Sequence, residues 1–471
     1  MFGQIIQSIL DLGPTVVLPI IITVFGLILG QGFKKSFRAG LIIGVGFVGI
    51  NLVVGLLMTT LGPITEALVK NTGVQMDIMD VGWPIGASIS FGTPIAMILI
   101  PVILGLNIIL LAVNFTKTMD VDLWNYWHFI FAGSVAYYSS NSVVLGIVVA
   151  CITAAITFKL ADWTAPVLEH HFGLPGVSLP HSETVNYAPI MYLLNKVEDK
   201  IPGFNKLDAN PDTLRKRFGV FGEPLMMGLI LGMLIAIVAG FTWTKVITVG
   251  IGMAAVLVLL PKMVALLMEG LIPLSEGARE FIRKRFPGKD VYIGLDAAIV
   301  IGHPANMAVA IIMVPITLAL AFGLNALGVG RMLPFADLAV LPFTLIWAVA
   351  ASRGNIVRGL INGIITVCIA LTLATALAPL LTTMGHVVGF AFPAGASSIS
   401  SIDVGSHIIP FILINILNFQ NGTAVILGLV LAVIYAGIWY FVRNDIKRQY
   451  ASELGLDVNE IGKKSKKTIK A

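Results

Sequence analysis

Three histidines and two acids stand in segments that are otherwise poor in charge, and their surroundings define the chemistry open to them. His128 sits in Trp124-Asn-Tyr-Trp127-His128-Phe-Ile-Phe. Asp296 and His303 sit in Ile293-Gly-Leu-Asp296-Ala-Ala-Ile-Val-Ile-Gly-His303-Pro. The stretch 175–186 gathers Ser178, Pro180, His181, Ser182, Glu183 and Asn186, and the stretch 393–407 gathers Ser397, Ser398, Ser400, Ser401 and Asp403. Carboxylates, imidazoles, hydroxyls and an amide with no fixed anion clamp suit a neutral polyhydroxy solute, because each solute hydroxyl both donates and accepts. Asp296 and Glu183 can accept from adjacent hydroxyls, while His128 and His181 can do either. Bonds of this charge-assisted kind are the stronger ones. No Walker loop, HExxH or GxSxG occurs at sensible spacing, which argues against ATP-driven pumping and the common hydrolytic mechanisms.

Each of these residues also has a plainer reading. His128 can be a core histidine bonded to a neighbouring helix. Asp296 can be an N-cap, although the apolar run after it brings no compensating cation. His303 directly precedes Pro304, which frees it from a helical backbone, and either a ligand contact or a structural bond fits it. The stretch 175–186 is too polar to span lipid and too rich in Gly and Pro for an ordinary helix. It is a cytoplasmic loop or a re-entrant tip, and the similar stretch 393–407 favours the tip, since a mere connector needs no symmetry mate. Asp122 and Asp337 read as helix caps. Asn141 and Asn355 mark breaks between apolar stretches, where Arg353 and Arg358 satisfy freed carbonyls or lie at a surface. Trp83, after Asp80-Val-Gly82, is an aromatic wall of the site or an interfacial belt residue.

The elements that must position these groups are membrane helices. The chain of 471 residues is 57% hydrophobic and 12% charged, with a mean hydropathy of +0.93, where soluble domains carry about 25% charged residues. The runs 16–30, 41–61, 95–113, 225–240, 246–267 and 307–324 are apolar. A span needs roughly 20 apolar residues, and roughly ten to twelve spanning or re-entrant helices are expected. At membrane depth an ionisable side chain pairs or faces a cavity. The net charge of +5 comes from basic clusters at helix ends, the positive-inside pattern, and implies no nucleic-acid partner. Cys151 and Cys368 lie inside apolar runs, with neither disulfide nor metal-ligand spacing. Pro14 and Asp11 interrupt the start, so no cleavable signal peptide is expected.

Four features recur in order. Gly13-Pro14 is matched by Glu223-Pro224, Gly92-Thr93-Pro94 by Gly302-His303-Pro304, Asp122-Leu123 by Asp337-Leu338, and Phe172-Gly-Leu-Pro175 by Phe390-Ala-Phe-Pro393, at offsets between about 210 and 218. The patterns opened at Asp122 and Asp337 break at 139–142 and 352–355. Basic residues then give the relative sense of the two copies. Lys34, Lys35 and Arg38 follow the first helix of the first half, whereas Arg279, Arg283, Lys284, Arg285 and Lys289 follow the second helix of the second. By the positive-inside rule the halves cross in opposite directions, and inverted repeats of this kind are typical of transporters with a midplane site. The expected organisation is an all-α polytopic protein. Residues 1–200 form the first repeat (1–70 scaffold, 71–194 core, tip near 175–186), followed by a cytoplasmic linker at 201–217. Residues 218–440 form the second (218–270 scaffold, 290–410 core, tip near 393–407, final helix 409–440), before a basic cytoplasmic tail at 441–471. The N-terminus is expected outside.

At Asp80-Val-Gly-Trp83-Pro, Trp127-His128, Pro180-His181, Phe218-Gly-x-Phe-Gly-Glu223-Pro224, Gly294-Leu-Asp296, Arg353-Gly-Asn355 and the opening Asp11-Leu-Gly-Pro14, the chain resembles the galactitol-type membrane component (EIIC) of the phosphoenolpyruvate-dependent phosphotransferase system, and more distantly the ascorbate-type carriers. The resemblance implies a permease of a bacterial cell membrane for a sugar alcohol, with galactitol the family default. It implies a homodimer of scaffold and moving core domains working as an elevator. Phosphorylation would come from a phosphocysteine on a separate soluble EIIB, recharged by EIIA, with no cofactor or metal in this chain. It implies substrate contacts at His128, His181 and Asp296 first, then Glu183, Ser182 and Trp83. The ascorbate-type glutamines after both histidines are replaced here by Phe131-Ala132 and Ser182-Glu183. Two other classes fit the residues alone: an ion-coupled carrier with Asp296 or Glu183 binding H⁺ or Na⁺, and a membrane enzyme with His128, His303 and Asp296 as metal ligands.

Overall fold

A computed structural model describes residues 19–72, 77–204, 224–285, 291–390 and 397–458, apart from positions 21, 22, 25, 28, 29, 335 and 419. Expectations that rest on Asp11–Pro14, on the linker beyond Phe204 as far as Glu223, on Lys289, on Pro393 and on the tail from Asn459 fall outside the described residues.

Helix α1 (Phe33–Thr72) is followed by strand β1 (Ile78–Asp80), helices α2 (Trp83–Gly92) and α3 (Ala96–Ala112), and strand β2 (Thr118–Asp120). A 3-10 turn at Leu123–Asn125 leads into α4 (Tyr126–Ser140). This helix stops at Asn141, whose left-handed φ of 53° gives the chain a C-terminal cap, a conformation Asn tolerates better than most residues. Ser142 then accepts from the Leu145 amide and starts α5 (Val143–His170). Next come β3 (Val177–Ser178), the single turn α6 (Ser182–Val185) and α7 (Ala188–Glu198).

The later part begins with α8 (Pro224–Val238) and α9 (Trp243–Arg285), then β4 (Tyr292–Gly294) and a 3-10 turn at Ala297–Ile299. Helix α10 (Pro304–Ala326), strand β5 (Met332–Leu333) and the short helices α11 (Leu341–Thr344) and α12 (Ile346–Ala350) follow. The break expected at 352–355 is built by Arg353 and Gly354, both with φ above 50°. Asn355 then caps α13 (Ile356–Val387) by accepting from the Arg358 amide. The chain ends with β6 (Ser398–Ser400), α14 (Ile402–Gly405), α15 (Ile408–Ile416), α16 (Gly422–Val442) and α17 (Asp445–Gln449).

Among the described residues, four helical stretches are long and apolar enough to cross a bilayer: Val143–His170, Pro304–Ala326, Ile356–Val387 and Gly422–Gln449. Only 11% of the apolar window of the last is buried inside the protein. Ile426 and Val433 on α16 are 65% and 72% exposed, and a continuous apolar face of this size marks a lipid or partner surface. The 40 residues of α1 pack along the 43 of α9, with α8 against α9 in turn.

The all-helical expectation needs one addition. Two three-stranded parallel sheets are present, in the orders β5-β1-β6 and β2-β4-β3. Each places one strand from one part of the chain between two from the other. The strands run two or three residues, too short for a period-2 pattern to show in sequence. Gly294 allows the second sheet to close. A Cβ there would stand 2.8 Å from the Asp120 Cα and 2.7 Å from the Pro180 Cγ, the close backbone approach that keeps glycine in a strand.

Candidate functional site

Where the two sheets end, the chain turns polar while staying buried. Residues 177–189 and 399–410 are buried throughout, so neither polar stretch is a solvated loop. Their backbone groups are held from within, as irregular backbone in an apolar setting requires. His181 precedes α6, Asp296 follows β4, and His407 lies between α14 and α15. His128 projects from α4, whose residues 126–136 are all buried.

His181 is the hub. Its Nδ1 lies 3.0 Å from Asn125 Oδ1 and 3.3 Å from Asp296 Oδ2, and its Nε2 lies 3.4 Å from Glu183 Oε2. Asn125 donates its amide to Asp120 Oδ1 at 3.2 Å, which turns its carbonyl oxygen toward the imidazole. Glu183 Oε1 accepts from Thr344 Oγ1 at 2.6 Å. Asp296 also caps its own turn, accepting from the Ala298 amide at 2.7 Å, as the plainer reading of this residue has it. Ser182 accepts from Asn186 Nδ2 at 3.2 Å.

A chain of imidazoles continues from this hub. The His128 and His181 rings stand edge to face with centroids 4.3 Å apart, and His128 Nδ1 lies 3.0 Å from His407 Nε2. The far nitrogen of His407, Nδ1, lies 2.9 Å from the Asp403 carbonyl oxygen. A carbonyl only accepts, so His407 Nδ1 carries the proton. In the neutral ring Nε2 then accepts, and His128 Nδ1 donates to it. The free lone pair of a neutral His128 therefore sits on Nε2, which is buried and has no partner among the described residues.

Other buried acceptors are in the same position. Glu183 Oε2, Asp403 Oδ1 and Asp120 Oδ2 accept no hydrogen bond from the described residues. No Lys or Arg pairs with Glu183, Asp296, Asp403 or Asp120 among the described residues. Trp127 and Phe131 wall the imidazoles, with ring centroids 5.5 and 4.7 Å from His407. Phe343 stacks on His181 at 6.2 Å. The frame outside is again carboxylate to backbone: Asp337 accepts from the Trp83 amide at 2.8 Å and the Asp403 amide at 3.0 Å. Asp122 accepts from the Trp124 amide at 3.0 Å. Both aspartates act as caps, Asp337 across to other elements.

The structure thus brings His128, His181, Glu183 and Asp296 together, with Ser182 in the adjoining turn. Trp83 stands edge to face with Trp124 at 6.0 Å. His303 is not brought to the cluster. Its ring packs against His171 at 4.7 Å and Phe172 at 5.4 Å, so the trio His128, His303 and Asp296 forms no shared metal site. His128, Asp403 and His407 do offer ligand atoms within 4.8 Å of one another, but the hydrogen bonds above already engage three of the four ring nitrogens of the two histidines. Sequence reasoning missed Asn125, Thr344 and the role of His407. The i, i+4 spacing of Asp403 and His407 was a usable signal, whereas a lone Thr in an apolar run gives none.

A family model described as "PTS system sugar-specific permease component" matches residues 8–395. The chain belongs to this family. It is 36% identical over 453 residues to the "PTS system galactitol-specific EIIC component" of Escherichia coli (strain K12), covering 95% of this chain and 99% of the relative. The relative of the same name in Escherichia coli O157:H7 gives the same figures. A "Putative permease IIC component" of Escherichia coli (strain K12) is 36% identical over 445 residues, 94% of this chain and 99% of the relative. The resemblance read from the motifs therefore holds along the chain. A permease component with these apolar helices is a multi-pass membrane protein.

Proposed function

We propose that this permease binds galactitol in the cluster centred on His181 and carries it across the bacterial cell membrane for phosphorylation by a separate EIIB. The observation that carries the reading is the surplus of buried acceptors. His128 Nε2, Glu183 Oε2, Asp403 Oδ1 and Asp120 Oδ2 take no hydrogen bond from the described residues, and a sugar alcohol is a chain of hydroxyl donors. His128, His181, Asp296 and Glu183 would make the contacts, with Ser182 and Trp83 behind them. His303 would support the fold. The galactitol-specific names of two relatives point to the same solute.

The inverted repeat is part of the proposal and is supported by the sheets. Tyr292 and Met332 follow Ile78 and Thr118 by the same 214 residues, and each sheet seats one strand of one half between two of the other. Cys151 and Cys368 lie within α5 and α13, away from any loop a phosphocysteine would need. This supports a phosphoryl donor on EIIB, recharged by EIIA. The scaffold is assigned to α1, α8 and α9, the moving core to the remainder, the assembly to a homodimer, and the N-terminus to the outside.

The test uses vesicles loaded with phosphoenolpyruvate and the soluble phosphotransferase components. Labelled galactitol should accumulate as its phosphate, and only when EIIB is present. Asp296→Asn should abolish uptake while the protein still folds. Accumulation of free galactitol under an ion gradient without EIIB would replace this reading by the ion-coupled one.

A further inference from the structure

Away from the polyol cluster, a cavity of about 500 Å³ opens between the end of α7, the start of α13 and α17. Lys196, Arg353, Arg358 and Arg448 line it, against Asp199 and Asp445. Three of the cations are engaged: Lys196 Nζ with Asp445 at 3.0 Å, Arg448 with Asp445 at 3.7 Å, and Arg358 with Asp199 at 2.6 Å and Asn195 at 2.8 Å. Arg353 is exposed and makes no ion pair among the described residues. Its backbone is held at φ 54° by the turn before α13, a conformation uncommon for residues other than glycine.

Two further features aim donors into the same space. Asn355 and Arg358 place the N-terminal end of the 32-residue α13 at the cavity wall, where the helix dipole and first-turn amides favour an anion. Tyr192 lines the cavity and is 3% exposed, and its buried hydroxyl has no hydrogen-bond partner among the described residues. Guanidinium forks, an ammonium, a phenol and a helix N-terminus are the donor set of a phosphate dianion. We infer that this cavity is a phosphomonoester site of the permease. The inference rests on the proposed function for the origin of its ligand. On α7 its lining begins at Tyr192, and none of His128, His181, Glu183 and Asp296 lines it, so a phosphoryl group held here lies outside the polyol cluster. The site therefore either receives the phosphoryl group of the donor protein as it docks or holds the phosphorylated polyol as it leaves.

Arginine footprinting with phenylglyoxal on the full-length purified permease tests this. Millimolar inorganic phosphate should protect Arg353 from modification. Arg448→Gln, on a half-exposed side chain, should raise the half-protecting concentration about tenfold, as loss of one charge-assisted contact predicts. Galactitol phosphate and phosphorylated EIIB are the other two probes. Protection by the first alone assigns the site to the product, and protection by the second but not by unphosphorylated EIIB assigns it to the docked donor. If Arg353 reacts equally fast with all three probes, or if Arg448→Gln and Tyr192→Phe leave protection unchanged, the site does not exist. Phosphate protection in a protein that binds no galactitol would instead sink the proposed function and leave this site standing.

Discussion

Glu183→Gln separates the acid cluster as a hydroxyl receptor from the same cluster as a structural knot. Glu183 offers two oxygens with different work. Oε1 accepts from Thr344 at 2.6 Å, while Oε2 faces His181 Nε2 at 3.4 Å and accepts no hydrogen bond from the described residues. A glutamine can keep the Thr344 bond through its oxygen, and its amide nitrogen then replaces Oε2. The substitution is nearly isosteric, and what it removes is one anionic acceptor at the site. A hydrogen bond to a charged group contributes about 1.5–3 kcal/mol, which corresponds to about ten- to a hundredfold in affinity. Isothermal titration of galactitol into the purified permease reads this directly. Thr344→Val should cost less, about two- to tenfold, because it leaves both carboxylate oxygens in place. His303→Asn serves as the control, since His303 packs with His171 and Phe172, and should leave galactitol affinity within about threefold. Glu183→Gln binding galactitol as tightly as the unaltered protein would refute the reasoning.

Two more predictions concern packing and charge outside the polyol contacts. A Cβ added at Gly405 would fall on the Ala370 carbonyl oxygen and meet the Ala374 Cβ at 2.8 Å, so Gly405→Ala must push α14 off the backbone of α13. A cost of at least about 1–3 kcal/mol is expected for such overpacking. It should appear as a lowered melting temperature in detergent together with lost galactitol binding, and an unaltered melt would contradict the packing described. At the end of α7, burial lifts the Glu198 carboxyl from 4.5 to about 7 against the pull of Arg358. A folded-state pKa raised in this way stabilises fully below the ordinary carboxylate value, and the contribution is lost as pH climbs toward and through about 7. Glu198→Gln should flatten the fall in melting temperature over that window, and an undiminished slope would assign the fall to other groups.

The parts of the site legible in the sequence were those where a polar residue interrupted an apolar run. His128 and Asp296 stood out because the membrane makes such residues expensive, and the two polar tips stood out because they were paired. The helix breaks were legible for a related reason: Asn141 and Gly354 are residue types that accept left-handed backbone, and Asn355 is one that caps a helix. Distance between segments was not legible. His303 and Asp296 are neighbours in sequence, yet the turn at Ala297–Ile299 sends His303 to His171. Thr344 sits in a run that reads as core, and only the fold shows that its hydroxyl meets Glu183. The strands were hidden by their length, since two residues carry no periodicity.

Those short strands bear on how the site can open. Asn125, His128, His181 and Glu183 come from the first part of the chain, and Asp296, Thr344, Asp403 and His407 from the second. The contacts His181–Asp296, Thr344–Glu183 and His128–His407 all cross between them. A motion that parted the two halves would break these three contacts and also pull β1 from between β5 and β6, and β4 from between β2 and β3. Every buried backbone group so freed would lose its hydrogen-bond partner. A motion of the whole cluster against α1, α8 and α9 breaks none of these bonds. For the motion proposed above, the cheaper path is to carry the cluster intact past the long helices, with the sheets and the imidazole chain in one moving body. A disulfide locking β1 to β5 should then leave galactitol uptake intact, whereas one locking the cluster-bearing helices to α9 should stop it.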